Sequence, residues 1–363
     1  MSSDFTFLTD GLPKDENCLT IRYAADRYWN WLFKEDDNEP KLARSTRAFI
    51  PNRSKTTKIK QMKIILNADK CEEYPTPTSS ESYSLNINHD GAYLTSSSVW
   101  GALHGLETFY QLIYGDADDN LFVDEVDIID FPRFKHRGVL VDTARHFLPM
   151  DTLYEILDGM AMNKFNVMHW HIVDDQSFPF GSETLPDLPG KGSYFPEAGK
   201  HIYSIADVKS IVEYARLRGI RVIPEFDTPG HTQAWGKGQP GLLTECCGPD
   251  GKFNGNYGPA DVTNEANYEF IDKLWGELRS VFKDQYLHLG GDEVSFHCWQ
   301  SNPNITAWMK KENITSYAKL EEIWIQQVIN ITENHKFDYV VWEEVFNNGI
   351  NINKEVYFQL FYL

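Results

Sequence analysis

The sequence predicts an α/β protein: a TIM (β/α)8-type barrel, incomplete in this chain, preceded by a small α+β domain. Two observations support this prediction. From His136 onward, short apolar runs alternate with segments of helical periodicity, which is typical of a parallel sheet whose strands are joined by helices. Each apolar run is followed by polar side chains, and in such barrels chemistry is placed at the C-terminal ends of the strands.

The N-terminal part of the chain accounts for the small domain. Helices are predicted over residues 15–33 and 99–114, and strands over 58–67, 82–88 and 92–95. The sequence Asp130-Phe131-Pro132 interrupts this pattern, because proline lacks a backbone donor and restricts the residue before it. We therefore predict an N-terminal α+β domain over 1–132 and a catalytic barrel over 133–363.

The second part of the chain predicts repeated strand and helix units. The strands are predicted over 138–141, 165–173, 220–226, 286–289 and 339–342, and the helices over 150–163, 204–218, 264–282 and 316–335. Residues 227–263 are predicted to form a long Gly-rich loop. A closed barrel of this type needs eight strands, whereas the pattern yields five, with residues 356–363 as a candidate sixth. We therefore expect the C-terminal strands to be missing from this chain.

The composition limits the partners of the protein. The formal net charge of −19 argues against nucleic acid or an anionic membrane, because both bind basic surfaces. No run of about 18 apolar residues occurs, so no membrane span is expected. The first residues lack the basic start and apolar stretch of a signal peptide. Five cysteines permit two disulfides and one thiol, in pairings that the count leaves open.

The stretch 286–299 is the centre of the predicted site. Its apolar residues 286–289 predict a buried strand, and the glycine pair 290–291 predicts a turn at the end of that strand. Asp292 and Glu293 follow at once, and a turn would let these adjacent carboxylates share one pocket. Like charge and desolvation would then raise the pKa of one of them, so that it could donate a proton near neutral pH.

Polar residues follow all five predicted strands. They are Asp142, Arg145 and His146 after the first; His169, His171, Asp174 and Asp175 at the second; Glu225, Asp227 and His231 at the third; Asp292 and Glu293 after the fourth; Trp342, Glu343 and Glu344 at the fifth. Isolated polar residues in such positions are commonly just solvated. Five sets in corresponding positions favour a functional site.

Two chemistries fit these groups, and the residues alone leave both open. The first is metal-dependent hydrolysis, in which His169 and His171 share one strand face and His231, Asp227 and Asp292 complete the ligand set. The second is glycoside hydrolysis by a carboxylate pair, with an arginine binding sugar hydroxyls. A lone His-X-His sequence is more often a pair of buried, hydrogen-bonded histidines, so we predict no metal and no cofactor.

Five ordered segments carry a resemblance to a known family. They are HRGVLVDTARHFLP (136–149), NKFNVMHWHIVDDQSFPF (163–180), RVIPEFDTPGHTQAW (221–235), YLHLGGDEVSFHCWQSNP (286–303) and VVWEEVF (340–346). These segments resemble the glycoside hydrolase family 20 β-N-acetylhexosaminidases, and the eukaryotic lysosomal type most closely. The resemblance covers residues 136–346 almost continuously and the N-terminal domain more loosely.

The resemblance implies a substrate-assisted retaining mechanism, in which the 2-acetamido oxygen of the substrate attacks its own anomeric carbon and forms an oxazolinium intermediate. Glu293 would protonate the leaving oxygen and then deprotonate water, and Asp292 would accept a hydrogen bond from the acetamido N–H. Arg145 would bind the C3 and C4 hydroxyls of the terminal sugar, and Trp342 would form one wall of the acetamido pocket. The substrates would be N-acetylhexosamine-terminated oligosaccharides or glycoconjugates.

The resemblance also implies supporting residues and an environment. Asp174 and His231, with Asp227 nearby and Asp175 beside Asp174, would form a polar network that orients the acid. The implied disulfides join Cys18 to Cys71 and Cys246 to Cys298, and leave Cys247 free. These pairings favour an oxidising compartment, so a lysosomal or secreted location is expected. The resemblance to the lysosomal type further implies a glycoprotein that can form a homo- or heterodimer.

Two alternatives follow from the same residues. Because the later barrel strands cannot be matched, the chain could be a truncated, catalytically impaired relative that acts as a sugar-binding or partner subunit. Because of the two histidines at 169 and 171, it could instead be a metal-dependent barrel hydrolase.

Overall fold

The computed structural model describes residues 4–33, 58–115, 120–198, 201–350 and 357–359 of the chain. Its contacts divide the chain into two compact units. The first consists of Met1–Arg137, Glu155–Asn166 and Tyr214–Arg221, and the second of Gly138–Tyr154, Val167–Glu213 and Val222–Leu363.

The first unit is built on a five-stranded mixed sheet. Its elements are β1 (Thr6–Leu8), α1 (Leu19–Phe33), β2 (Gln61–Leu66), β3 (Tyr83–Asn88), β4 (Gly91–Ser96), α2 (Val99–Leu112), β5 (Tyr114–Gly115), β6 (Leu121–Phe122) and β7 (Val126–Asp130). The strand order is β1-β2-β4-β3-β7, and β5 pairs separately with β6. Side chains of β2 and β3 alternate between buried and more exposed positions, so one face of the sheet lies on an apolar core. The predicted α+β character is confirmed, whereas β1, β5, β6 and β7 were not predicted.

The remaining elements alternate between strands and helices. They are β8 (Gly138–Asp142), α3 (Met150–Met162), β9 (Val167–Val173), β10 (Phe180–Gly181), α4 (Asp187–Gly192), β11 (Tyr203–Ser204), α5 (Ile205–Arg216), β12 (Arg221–Phe226), α6 (Gln233–Gly238), β13 (Leu243–Cys247), β14 (Phe253–Ala260), α7 (Glu265–Val281), β15 (Tyr286–His288), α8 (His297–Ser301), α9 (Pro303–Lys311), α10 (Ala318–Asn334), β16 (Asp338–Trp342), α11 (Glu343–Asn347) and β17 (Tyr357–Gln359).

Six of these strands form the main sheet in chain order, β8-β9-β12-β15-β16-β17, and the pairings described along it are parallel. Every residue of β9 and β12 is buried, as expected for parallel strands covered on both faces. The predicted α/β class and the five predicted strands are therefore confirmed, and the parallel strands in chain order are the arrangement expected of a TIM-type barrel. The candidate sixth strand is present as β17, and the rest of the stretch 356–363 lies outside the described residues.

The segment 227–263, predicted as a loop, contains helix α6 and the antiparallel hairpin of β13 and β14. Periodicity failed here because the two hairpin strands are irregular in register and β14 contains Gly255 and Gly258. A disulfide between Cys246 and Cys298 ties β13 to α8, and a second joins Cys18 to Cys71. These are the pairs that the family resemblance implies, and Cys247 has a free thiol.

The longest helices within the described ranges are α7 and α10, with 17 residues each. A membrane-spanning helix needs about 20 predominantly apolar residues. No helix among the described residues is long and apolar enough to cross a bilayer.

Candidate active site

The turn after β15 depends on its two glycines. Gly290 has φ of 70° and Gly291 has φ of 95°, in the left-handed region that side chains disfavour. A Cβ atom on Gly290 would lie 1.7 Å from Oδ1 of Asp227, and one on Gly291 would lie 2.4 Å from Cγ2 of Val345. The backbone N–H of Gly291 donates to the same Asp227 oxygen at 2.7 Å. The turn predicted from the glycine pair is confirmed. Both positions need glycine for two reasons: the positive φ, and the close approach of neighbouring atoms to the backbone.

Asp292 and Glu293 follow this turn, and their side chains differ in exposure to solvent. Glu293 is itself left-handed, with φ of 52°, and its backbone N–H donates to Oε2 of Glu344 at 2.9 Å. The side chain of Asp292 is 17% exposed, whereas that of Glu293 is 72% exposed. The two carboxylates follow the turn as predicted, but the side chain of Glu293 lies mostly in solvent, so the pocket expected to desolvate one of them encloses Asp292 more than Glu293.

His231 brings the predicted site residues together. Its Nδ1 lies 3.3 Å from Oδ1 of Asp174. Its Nε2 lies 3.6 Å from a Glu293 oxygen, 3.8 Å from Oδ2 of Asp227 and 3.9 Å from Oδ2 of Asp292. Burial alone would lower the pKa of His231, but the hydrogen bond to Asp174 and the surrounding carboxylates raise it to about 10. His231 is thus an imidazolium among four carboxyl groups.

Asp174 and Arg145 form the next contacts of this network. Asp174 is fully buried, and its Oδ2 pairs with Nη2 of Arg145 at 2.8 Å. Burial would raise the pKa of Asp174, but hydrogen bonds with His171 and His231 hold it well below its usual range. Arg145 also donates to Oδ2 of Asp142 at 2.9 Å, and its side chain remains 39% exposed. Arg145 therefore joins the network to the solvent side of the site.

Two further predicted residues lie beside this network. Asp227 is buried, and burial together with the charge of Asp292 raises its pKa well above the usual range. Asp175 is half-buried and accepts a hydrogen bond from the backbone N–H of Gln233 at 2.9 Å. Asp175 thus ties the loop after β9 to the start of α6.

A buried glutamate, Glu225, was named from sequence only as a polar strand-end residue. Its side chain is fully buried, and Oε2 lies 2.6 Å from Nε2 of His169 and 2.7 Å from Nδ1 of His171. The indole N–H of Trp342 donates to Oε1 at 2.8 Å, and Nδ1 of His288 lies 3.3 Å from the same oxygen. Burial would raise the pKa of Glu225, but the surrounding histidines hold it well below its usual range.

Strand alternation could have identified this second cluster. Residues two apart on a strand point to the same face, as do His169 with His171 and Glu225 with Asp227. His288 is paired in register with Glu225 across β12 and β15. The period of two already placed His169 and His171 on one face; applied to β12 and β15 as well, it would have marked Glu225 and His288 as candidates for a shared cluster.

The histidine pair does not form the metal site that the alternative hypothesis needs. Three groups of side chains could gather ligand atoms within 4.8 Å: His169, Glu225 and His288; Asp174, Asp175 and His231; and Asp227, His231 and Asp292. Among the described residues, none of these groups contains both His169 and His171. His171 contacts two carboxylates through its two nitrogens, which favours a hydrogen-bonded role over metal ligation.

The charge on His231 predicts how stability depends on pH. A histidine whose pKa rises from 6.5 to about 10 on folding contributes stability that is complete below pH 6.5 and is lost as pH rises toward 10. We expect the free energy of unfolding to fall over this range, with His231 contributing up to roughly 1.4 kcal/mol per pH unit. Urea denaturation of wild type and His231→Gln at about pH 6, 8 and 10 measures this. Equal pH slopes for the two proteins would contradict the charge assignment.

The chain is similar to two family models and to two mouse proteins. Residues 134–361 match the model described as glycosyl hydrolase family 20, catalytic domain, and residues 1–112 match a model described as beta-acetyl hexosaminidase like. The chain is 46% identical over 343 residues to mouse (Mus musculus) beta-hexosaminidase subunit alpha, covering 94% of this chain and 63% of that protein. It is 47% identical over 337 residues to mouse beta-hexosaminidase subunit beta, covering 93% and 61%.

Solved structures give the same similarity at the level of the fold. The X-ray structure of Flavobacterium johnsoniae chitobiase superposes with a TM-score of 0.76 at 28% identity, covering 95% of this chain and 50% of that one. A glycoside hydrolase family 20 beta-N-acetylglucosaminidase superposes with a TM-score of 0.60 at 29% identity, covering 79% and 57%. The chain thus spans about three-fifths of the length of the mouse relatives, 63% and 61%, and about half that of these structures.

Proposed function

The chain belongs to glycosyl hydrolase family 20, and from this premise we propose that it is a β-N-acetylhexosaminidase that removes terminal N-acetyl-D-hexosamine from oligosaccharides or glycoconjugates. The observation that supports this most directly is the position of the adjacent carboxylates. Asp292 and Glu293 follow a glycine turn at the end of a parallel strand, and both have an oxygen within 3.9 Å of the His231 imidazolium, whose side chain is 10% exposed.

The proposed mechanism uses the acetamido group of the substrate as the nucleophile. Its carbonyl oxygen attacks the anomeric carbon and forms an oxazolinium ion, while Glu293 protonates the departing glycosidic oxygen. In the second step, Glu293 deprotonates the water that opens this ion, with net retention of configuration. The His231 imidazolium, 3.6 Å away, stabilises the carboxylate that remains after Glu293 has given up its proton.

Asp292 is proposed to accept a hydrogen bond from the acetamido N–H. It is less exposed than Glu293, so its charge is less screened by solvent and acts more strongly on the positive charge that develops in the acetamido group. Two acidic neighbours therefore have separate tasks: the exposed one exchanges protons, and the more buried one holds the nucleophile.

The remaining predicted residues would bind and shape the substrate. Arg145 is proposed to donate to the C3 and C4 hydroxyls, because its side chain is partly exposed while two of its nitrogens are fixed by Asp142 and Asp174. Trp342 is proposed as one wall of the acetamido pocket. The bond from its indole N–H to Glu225 fixes the orientation of the ring.

The relatives suggest how the protein is assembled and where it acts. Because the mouse relatives are named as alpha and beta subunits, we propose that this chain also functions as a dimer, of one or two kinds of subunit. The two disulfides suit an oxidising compartment, and a lysosomal or secreted location is proposed on that basis.

Comparison of two substrates tests the proposed mechanism. We expect the chain to hydrolyse an aryl N-acetyl-β-D-glucosaminide at least about 100-fold faster than the aryl β-D-glucoside with the same leaving group, because the glucoside lacks the internal nucleophile. Excess chelator should leave the rate unchanged. Equal hydrolysis of both substrates would contradict the mechanism, and tight binding of N-acetylglucosamine without turnover would indicate the sugar-binding alternative.

A further inference from the structure

A second histidine, His171, lies between two carboxyl groups: Asp174 of the proposed acid–base site and the fully buried Glu225. Its Nδ1 lies 2.7 Å from Oε2 of Glu225, and its Nε2 lies 2.8 Å from Oδ2 of Asp174. Each nitrogen must carry a proton to donate to a carboxylate, so this geometry requires the doubly protonated imidazolium. Nη1 of Arg145 lies 3.4 Å from Nε2, but the shorter contact to an anionic carboxylate decides that Nε2 is a donor.

Burial and charge agree with this protonation state. The side chain of His171 is only 5% exposed, and burial alone would lower its pKa. The charge of Glu225 and hydrogen bonds to Asp174 and Glu225 instead raise the pKa of His171 to about 10. His171 is therefore a cation between two buried anions at any pH at which the enzyme would work.

The contacts of Asp174 show what this cation does. Its Oδ2 is held by two cations, His171 and Arg145, both at 2.8 Å. Its Oδ1 accepts a hydrogen bond from the backbone N–H of Asp175 and faces Nδ1 of His231 at 3.3 Å, and Nε2 of that ring faces Glu293. From the buried side outward the groups are Glu225, His171, Asp174, His231 and Glu293, so that carboxyl groups alternate with imidazole rings.

We propose that His171 is a positioning residue for the acid–base step: it holds one oxygen of Asp174 so that the other fixes His231 against Glu293. This inference rests on the proposed function, in which Glu293 protonates the leaving group. It predicts that loss of His171 weakens acid catalysis specifically, rather than lowering all steps alike.

His169 provides a matched control on the same strand face. It contacts the same Glu225 oxygen, at 2.6 Å, and its side chain is 6% exposed, against 5% for His171. Its other nitrogen, Nδ1, has no hydrogen-bond partner among the described residues, so it has no such bond to Asp174. His169→Gln and His171→Gln both replace a histidine with glutamine and remove a contact to Glu225. Only the second removes the contact to Asp174, and with it a cation, because burial lowers the pKa of His169 to about 4.

The experiment compares two leaving groups on each enzyme preparation. A dinitrophenyl N-acetylglucosaminide departs with little need for a proton, whereas a phenyl N-acetylglucosaminide needs the acid. We expect His171→Gln to lower kcat/KM at least about tenfold more for the phenyl substrate than for the dinitrophenyl substrate, and His169→Gln to lower both by the same factor. Both substrates are measured on the same preparation, so the ratio of the two kcat/KM values does not depend on what fraction of the protein is folded. Equal losses on both substrates in His171→Gln would overturn the proposal.

A measurement without turnover separates failure of this proposal from failure of the proposed function. With selectively 15N-labelled histidine, we expect the ring signals of His231 to shift in His171→Gln and to stay in place in His169→Gln. Unshifted His231 signals in His171→Gln would overturn the inference even if the wild type were inactive. Should His171→Gln fail to fold, Glu225→Gln removes the charge behind His171 and is expected to shift the same signals; no shift would again overturn it.

Discussion

Replacing Glu293 with Gln is expected to lower kcat for a phenyl N-acetyl-β-D-glucosaminide by about 10³-fold, the middle of the range for loss of a general acid–base group. Gln has nearly the same size and keeps hydrogen-bonding atoms, but it can neither give a proton to the leaving oxygen nor take one from water. The side chain of Glu293 is 72% exposed, so this substitution should leave the folded structure intact.

The control for this substitution makes the same chemical change elsewhere. Glu312 follows helix α9, is exposed, and pairs only weakly with Lys311, at 3.2 Å. We expect Glu312→Gln to keep the wild-type rate. Measurement of kcat and of thermal unfolding for both variants separates chemistry from stability, and a wild-type kcat in Glu293→Gln would remove Glu293 from the proposed mechanism.

Gly290→Ala is expected to destabilise the fold by roughly 2–5 kcal/mol, through two separate effects. Left-handed backbone at φ of 70° costs a residue with a Cβ roughly 1–2 kcal/mol. The new Cβ would also lie 1.7 Å from Oδ1 of buried Asp227, so that carboxylate must move and lose its bond from the Gly291 N–H. Overpacking of this kind typically costs about 1–3 kcal/mol.

Gly251 isolates the backbone contribution. It has φ of 72°, close to that of Gly290, but a Cβ there would meet nothing within 4 Å. Gly251→Ala should therefore cost only about 1–2 kcal/mol. Urea denaturation measures the loss in the free energy of unfolding for each variant. Equal losses would show that the Asp227 carboxylate can move away from the new Cβ without a free-energy penalty. Displacement of Asp227 should also lower the activity of Gly290→Ala, because its Oδ2 lies 3.8 Å from Nε2 of His231.

The sequence alone was sufficient to predict the repeated strand and helix units, the glycine turn and the polar residues at the strand ends. These features are local: a strand of the parallel sheet is a short apolar run, and a turn needs residues that tolerate positive φ. For the same reason, local patterns failed over the hairpin of β13 and β14, whose register is set by pairing between strands.

Only the tertiary structure decided which polar side chains contact one another. Glu225 and Trp342 are 117 residues apart in the chain, yet share a hydrogen bond, and Glu225 and His171 are 54 apart. Sequence periodicity gives the face on which a side chain lies but not its partner on another strand. The exposure of Glu293, the raised pKa of Asp227 and the charge on His171 all depend on such partners, because burial and neighbouring charges set a pKa and both are properties of the folded chain.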